Sequence, residues 1–174
     1  MSISVFQKLV YCDFDVRNIE VYHISFTNKT EIDYRAHGRN KHLLHFSLCG
    51  ERYYKTETQE FVIGNNEIVF IPDSTKYLTY ALNTDCTPCV GINICFDICE
   101  NDGNKLNFEK MIYWLKNINT TALREHFIEI DTLWNVDSTN ILSLKTQLYN
   151  IVCDIINDSQ CKSKEYLNIK KALD

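Results

Sequence analysis

The chain has 174 residues and a formal net charge of −5. That length suits one domain, which buries about 70% of the surface of its unfolded chain without disulfide staples. The acidic balance and the lack of clustered Lys and Arg argue against a surface that grips a phosphate backbone. The start lacks the basic segment and apolar run of a signal peptide, and no apolar run approaches the roughly 20 residues that span a bilayer, so we expect a cytoplasmic protein.

The first hundred residues alternate short apolar runs with turn-forming residues. Residues 1–18 are expected to form an N-terminal arm of mixed polarity, which lies over a barrel mouth or adds a strand to a sheet edge. After a first strand at 19–26, residues rich in Ile, Val, Phe, Tyr and Leu fill the segments 42–49, 51–55, 60–63, 67–71, 77–82 and 89–96. Strands of this length and spacing, with no helical pattern between them, predict an antiparallel β-barrel or sandwich over residues 19–100.

Residues 101–158 change to the period of amphipathic helices. Three helices are predicted there, with apolar positions Phe108, Ile112 and Leu115 in the first, Leu123, Phe127, Ile130 and Trp134 in the second, and Ile141, Leu144, Leu148, Ile151 and Ile155 in the third. Ser138 is expected to cap the start of the third helix, with Asp137 near the positive end of its dipole. This helix either covers a sheet face within the chain or forms a two-helix dimer seam, because its apolar spacing holds for about two heptads. The predicted fold class is α+β.

Eight cysteines would suggest a disulfide framework in a small secreted protein, which the length and the start of this chain do not fit. Cys86, Cys89, Cys95 and Cys99 form a CxxC followed by a CxxxC, so a zinc site is one interpretation. However, Cys95 and Cys99 would stand about 13 Å apart on an extended strand. Reduced cysteines that pack as small hydrophobic side chains are the alternative that we prefer. A metal or redox role for these four is left open.

Three motifs follow one another along the predicted strand region. Arg35, in the pattern R-x-x-G, precedes the strand HLLHFSLCG. The stretch NNEIVFIPDSTKYLTY places an acid and apolar residues before Pro72, and VGINICFD ends the strand array. In this order the motifs resemble the N-terminal cupin-type sensor domain of AraC-family transcription regulators, although Asn66-Glu67 stands where that family usually has Gly-Asp.

The resemblance covers most of the chain and implies an antiparallel barrel, cupin-like or jelly-roll-like, followed by C-terminal α-helices. Residues 101–158 match in kind the family's helical tail, which implies a homodimer through the C-terminal helix. Tyr166, Ile169 and Leu173 fall on one side of a helix, so residues 159–174 resemble a linker and the opening of the family's DNA-binding domain. Two helix-turn-helix units would follow, and DNA would be bound only through that domain, which is absent from this sequence.

Cupin barrels also occur in enzymes, so a stand-alone metal-dependent isomerase or dioxygenase is the alternative. Such enzymes need two His and a carboxylate on one strand pair and a third His after the proline. Here His42 and His45 are three apart and so point to opposite strand faces, and Tyr77 stands where the third His would fall. Cys49 and His45 would lie about 13 Å apart on one strand, too far for a nucleophile and its base. We therefore expect a binding module without catalytic residues, metal or cofactor.

Strand alternation predicts a ligand pocket. In segment 89–96 the even-numbered residues are apolar and should lie beneath helices, while Gly91 and Asn93 face the cavity, where Gly91 leaves room for a ligand. The resemblance adds Arg35, whose spacing to Gly50 matches an arginine that contacts ligand in the family's sugar sensors. The predicted ligand-binding residues are Arg35, His45, Ser47, Tyr77, Thr79, Gly91, Asn93 and His23.

These side chains suit the hydroxyl groups of a sugar, on whose ring Tyr77 could also stack. Arg35 would equally bind a carboxylate, including that of a fatty acid. We expect a small polar metabolite, a sugar-like one being favoured. The sequence thus predicts the ligand-sensing and dimerisation module of a bacterial transcription regulator, in which the effector shifts the DNA-binding half between two arrangements.

Overall fold

The computed structural model describes residues 5–85, 87–116 and 118–173, with side chains for all of these except Gln7 and residues 159–173. In this part of the chain a 3₁₀-helix (Val5–Val10) precedes nine strands and two α-helices. The strands are β1 (Phe14–Phe26), β2 (Glu31–Asp33), β3 (His42–Cys49), β4 (Glu51–Lys55), β5 (Glu60–Ile63), β6 (Ile68–Ile71), β7 (Leu78–Leu82), β8 (Cys89–Glu100) and β9 (Tyr113–Trp114). The helices are α1 (Thr120–Asp137) and α2 (Ile141–Leu173). The predicted α+β class is confirmed.

The strands pair in a nested order. β1 pairs with β8, β2 with β7, β3 with β6 and β4 with β5, all antiparallel. This ribbon folds over on itself through the β3–β8 and β4–β7 pairs, which gives sheets of order β1-β8-β3-β6-β9 and β2-β7-β4-β5. Eight strands in two antiparallel sheets of this kind make a jelly roll. The sheets enclose an interior but do not close into one continuous barrel.

β1 begins earlier than the sequence predicts, at Phe14. The register with β8 shifts between Arg17 and Glu20, where Asn18 has a φ of 53°, and this irregularity interrupts the apolar alternation. Residues 14–18 of the predicted arm therefore extend an edge strand. The 3₁₀-helix before them packs into the apolar core, where the ring of Phe6 lies 4.7 Å from that of Phe70.

β3 and β8 divide their side chains between two environments. Ile92, Ile94 and Phe96 pack into the large apolar core that α1 and α2 complete. Leu43 and Cys95 point the other way, into a smaller cluster between the two sheets. The division follows the period of two that the alternation predicts. The helices thus cover one face of the five-stranded sheet, and the opposite face of that sheet faces the four-stranded sheet.

The first predicted helix is wrong. Residues 107–112 have no regular structure, and Tyr113–Trp114 form β9 beside β6. Ile112 and Trp114 face the cluster between the sheets, while Tyr113 and Leu115 face the apolar core. Side chains at this sheet edge alternate between the two faces with a period of two. Because both faces are buried, apolar residues occur at consecutive positions, and their spacing resembles that of an amphipathic helix.

The second and third predicted helices are confirmed, with different ends. Asn119 caps α1, because its Oδ1 accepts a hydrogen bond from the Thr121 amide at 3.2 Å. Ser138 does not cap α2 as predicted but lies at the end of α1. At α2, the Ser143 amide donates instead to Asn140 Oδ1 at 3.2 Å, so the helix begins two residues later than Ser138 would require.

The apolar stripe of α2 faces the core of its own chain. Leu144, Leu148, Ile151 and Ile155 are at most 3% exposed. They pack in the same core as the buried residues of α1 and the five-stranded sheet. These four residues therefore cover a sheet face within the chain, the first of the two predicted arrangements, and do not present a surface seam.

α2 continues to Leu173, past the predicted end at residue 157. The predicted stripe of Tyr166, Ile169 and Leu173 lies outside the described side chains. Among the described residues, no helix combines the length and apolar character needed to cross a membrane.

Candidate ligand-binding site

A cavity of about 490 Å³ lies between the two sheets. Its walls come from β1, β3 and β8 on one side and from β2, β4 and β7 on the other, and the segment between β2 and β3 contributes further lining residues. A space of this size is within the range of small-molecule sites, which run from about 300 to 1,000 Å³. We call this space the inter-sheet cavity.

Four of the predicted residues, His23, Tyr77, Thr79 and Asn93, line the inter-sheet cavity. Tyr77 and Thr79 are at most 2% exposed. Thr79 is held on both sides, because its Oγ1 accepts from Arg52 Nε at 3.0 Å and donates to the Tyr53 carbonyl at 2.7 Å. The structure therefore brings these four together, and their contact with a ligand remains a prediction.

Three other predicted residues lie behind the lining. The His45 ring is buried, with Nδ1 2.7 Å from Asn93 Oδ1, and Ser47 is fully buried. Gly91 does not leave room for a ligand as predicted. A Cβ at this position would lie 2.5 Å from His45 Cε1 and 2.7 Å from the Phe46 carbonyl oxygen, so the glycine accommodates the His45 ring.

Arg35 is not part of the cavity wall. Its side chain is 61% exposed, and its Nη2 lies 2.6 Å from Asp33 Oδ2. The Arg35 amide and Nε both donate to Asp33 Oδ1 at 2.9 Å. The ion pair between Arg35 and Asp33, at the end of β2, holds the guanidinium at the solvent-exposed surface. The spacing of Arg35 to Gly50 in the sequence does not indicate this pair.

Two other arginines, Arg39 and Arg52, line the inter-sheet cavity and are not among the predicted residues. Arg52 is on β4, only 4% exposed, with its guanidinium carbon 4.8 Å from the centre of the Phe26 ring. Arg39 lies in the segment before β3, with its guanidinium carbon 4.8 Å from the centre of the Tyr34 ring. For Arg52 a signal existed, because the alternation of ERYYK puts positions 52 and 54 on one face.

Burial sets the protonation of the neighbouring groups. Burial, with the positive field of Arg52 and Arg39, lowers the pKa of His45 to about 3 against the opposing bond from Asn93. Burial also raises the pKa of Tyr54 to about 12 and that of the Cys95 thiol above its usual range. At neutral pH the imidazole, phenol and thiol are therefore uncharged, and the charge of the cavity comes from its arginines, Lys41 and Glu20.

In the described part of the chain, no three His, Cys, Asp or Glu side chains lie close enough together to hold a metal ion. Cys86, one of the four cysteines in the zinc interpretation, lies outside the described residues. Cys89, Cys95 and Cys99 are buried thiols without disulfide partners. The Cys95 sulfur accepts a hydrogen bond from Arg39 Nη2 at 3.1 Å, so it forms part of the cavity wall.

The sequence matches no protein-family model and no curated protein. Solved structures to which the chain is distantly similar include a cupin superfamily protein from Desulfitobacterium hafniense (TM-score 0.37, 12% identity, 48% of this chain and 76% of that chain). Another is ToxT from Vibrio cholerae (TM-score 0.46, 8% identity, 79% of this chain and 54% of that chain). A third is ToxT bound to an unsaturated fatty acid (TM-score 0.37, 8% identity, 44% of this chain and 29% of that chain).

The match thus spans about half or less of the ToxT chains. Similarities this distant carry no argument about function. The assignment of the jelly roll rests on the strand order, and the candidate site rests on the geometry of the inter-sheet cavity.

Proposed function

We propose that this chain is the ligand-sensing domain of a bacterial transcription regulator of the AraC type, and that it binds a small molecule without catalysing a reaction. The observation that carries the proposal is the inter-sheet cavity, which has polar walls and the volume of a small-molecule site. The order of the sequence motifs supports the regulator class. DNA binding is assigned to a helix-turn-helix domain outside this sequence.

The cavity has a direct contact with the helical layer, which a sensor requires. His23 lines the cavity, and its Nδ1 lies 3.0 Å from Asp131 Oδ2 on α1. α1 in turn packs against α2 in the large apolar core. A ligand that favours one position of β1 would therefore bias the position of the two helices by its difference in affinity for the two arrangements.

The proposed homodimer uses the end of α1 and the start of α2, not the four buried residues of the apolar stripe. Ile141, which the sequence pattern places in that stripe, is exposed instead. Ile141 and Leu142 in the first turn of α2 are 48% and 78% exposed, and Val136 at the end of α1 is 80% exposed. Solvent-exposed apolar side chains of this kind are available to a second copy. Sedimentation equilibrium should give a dimer for the unmodified chain and a monomer for Leu142→Glu, and an unmodified monomer would contradict this part of the proposal.

Ligand binding can be tested by filling the cavity. The chain would be incubated with a bacterial small-molecule extract, and retained compounds would be measured by mass spectrometry. Ile32→Trp places an indole in the cavity wall, whereas Val62→Trp places it on β5, outside the wall, where Val62 is 37% exposed. We expect a retained compound that Ile32→Trp abolishes and Val62→Trp preserves. Retention of nothing, or equal retention by both variants, would refute the binding function.

The regulator class has a separate test in the gene. An open reading frame that continues beyond Asp174 into two helix-turn-helix patterns supports the proposal. A stop codon directly after Asp174 contradicts the regulator part and leaves the binding function to be judged by the extract experiment.

A further inference from the structure

Arg52 carries a buried positive charge that has few hydrogen-bond acceptors and no opposite charge beside it in the described part of the chain. Its Nε donates to Thr79 Oγ1 at 3.0 Å, but its Nη1 has no hydrogen-bond partner among the described residues. A guanidinium has five N–H donors, and a buried charge without an opposite charge costs several kcal/mol. The contact with the Phe26 ring offsets part of that cost. Nη1 itself is shielded from the cavity, so what Arg52 lacks in the described part of the chain is an opposite charge.

Arg39 also lines the inter-sheet cavity and has only neutral hydrogen-bond partners among the described residues. Its Nη1 donates to the Tyr77 hydroxyl at 3.2 Å and its Nη2 to the Cys95 sulfur at 3.1 Å, while Nε has no partner among the described residues. A phenol and a thiol are neutral acceptors, and sulfur is a weak one. Hydrogen bonds to an ionised acceptor are roughly twice as strong.

The charges in the cavity wall do not balance. Its one carboxylate among the described residues is Glu20, whose Oε1 lies 2.8 Å from Lys41 Nζ. That pair matches the charge of Lys41. None of the ion pairs among the described residues includes Arg39 or Arg52. Arg39, Arg52 and Lys41 thus stand against Glu20 alone, which leaves an excess of two positive charges in the described wall. The hydrogen bond from Lys41 is the main cause that lowers the pKa of Glu20, and the positive field of Arg39 adds to it.

Part of the remaining wall, chiefly along β1 and β2, is apolar or aromatic. Its members include Ile24, Phe26, Ile32, Tyr34 and Leu43. A ligand that fits this wall has an apolar body and one acidic end. A neutral sugar would leave both guanidiniums without an opposite charge, and its hydroxyl groups would lose hydrogen bonds where they meet the hydrocarbon of β1 and β2, which costs free energy.

We infer that the molecule bound in the inter-sheet cavity is an organic acid whose carboxylate is held between Arg39 and Arg52, with its apolar body against the wall of β1 and β2. This inference rests on the proposed ligand-binding function and replaces the sugar-like effector that the sequence favoured. Arginine suits the role because its planar donors pair with both oxygens of a carboxylate.

The test compares ligands that differ only in charge. Isothermal titration would measure the affinity of the chain for decanoate, for decanamide, which has the same body without the charge, and for glucose. Decanoate should bind at least about 10-fold more tightly than decanamide, because a hydrogen bond to a charged group contributes about 1.5–3 kcal/mol. Arg39→Met and Arg52→Met should each remove most of that preference while changing the affinity for decanamide by less than about 3-fold.

Arg35→Met is the matched control, since Arg35 is also an arginine but lies outside the wall with Asp33 as its partner. It should retain the preference for decanoate. The midpoint of thermal unfolding without ligand separates binding from a structural role. Removing a poorly matched buried charge should leave that midpoint unchanged or raise it for Arg52→Met, whereas a purely structural arginine would lower it and weaken all ligands equally.

Equal affinity for decanoate and decanamide, binding of glucose alone, or no binding of decanoate would overturn the inference. These outcomes are distinct from failure of the proposed function. If the extract experiment yields a neutral compound that Ile32→Trp excludes, the cavity binds ligands and only the acid assignment fails.

Discussion

The two sides of the five-stranded sheet differ in what they bury. On the helix side, the Phe46 ring stacks on Phe127 with centroids 5.1 Å apart, inside a continuous apolar core. On the cavity side, the adjacent residue His45 bonds to Asn93 beside a space with two unmatched charges. Because neighbouring strand residues point to opposite faces, one sequence position separates the two environments. The apolar core on the helix side supplies the burial that stabilises the fold. Residues on the cavity side can therefore be polar or charged, as a ligand requires.

The largest expected effect is on the helix side. Phe127 is fully buried, so Phe127→Ala should lower the free energy of unfolding by about 3–5 kcal/mol through lost burial and a cavity. Urea denaturation measures it. The next residue provides the control, since Ile128 is 39% exposed and Ile128→Ala should cost much less. Equal losses in the two variants would contradict the placement of α1.

A smaller effect is expected on the cavity side, as a dependence on pH. The folded protein holds the pKa of His45 near 3, whereas an unfolded chain has a His pKa of about 6.5. The unfolded state therefore binds the proton first, and stability is lost as pH falls from about 6.5 toward 3. Between pH 7 and 4.5 this amounts to about 2–3 kcal/mol.

His45→Gln is the variant that isolates this contribution. It should show a flatter decline in the free energy of unfolding between pH 7 and 4.5 than the unmodified chain. His42, whose pKa burial lowers to about 4, contributes in the same window and is unchanged in this variant, so some decline should remain. Identical slopes for the variant and the unmodified chain would show that His45 is not buried as described.

The smallest effect is expected outside both environments. Arg35→Ala removes a side chain that is 61% exposed and bonded only to Asp33 among the described residues, so the thermal midpoint and the affinity for decanoate should not change measurably. Differential scanning fluorimetry and titration check the two quantities. A loss of affinity would restore Arg35 to the site and would weaken the assignment to Arg39 and Arg52.

Much of the fold could be predicted because period and turns are local. The alternation along β8 correctly separates Ile92 and Ile94 from Asn93, and the spacing in α1 correctly identifies its buried face. β9 could not be recognised, because two residues at a sheet edge take their conformation from pairing with β6. β2, three residues long, is set in the same way by β7.

The site was harder to predict than the fold. Tyr77, Thr79 and Asn93 follow from strand alternation and do line the cavity. Arg39 lies between strands, where no period assigns a side chain to a face. Arg52 has the alternation of β4, but burial of an unmatched charge opposes the usual preference of arginine for solvent. Hydrophobic periodicity and residue preferences identify groups that stabilise the fold, so they do not identify functional groups that lower its stability.

The nested pairing of the strands has a consequence for the order of assembly. β4 and β5 meet through a four-residue connection, whereas β1 must find β8 across most of the sheet sequence, from Phe14 to Glu100. Loop closure over long separations slows folding, so we expect the inner hairpin to form first and the outermost pair last, on the scale of milliseconds to seconds. Pulse-labelled amide exchange that protects β1 before β4 would contradict this order. Because β1 supplies one wall of the inter-sheet cavity, the proposed binding site would be complete only after the final step of folding.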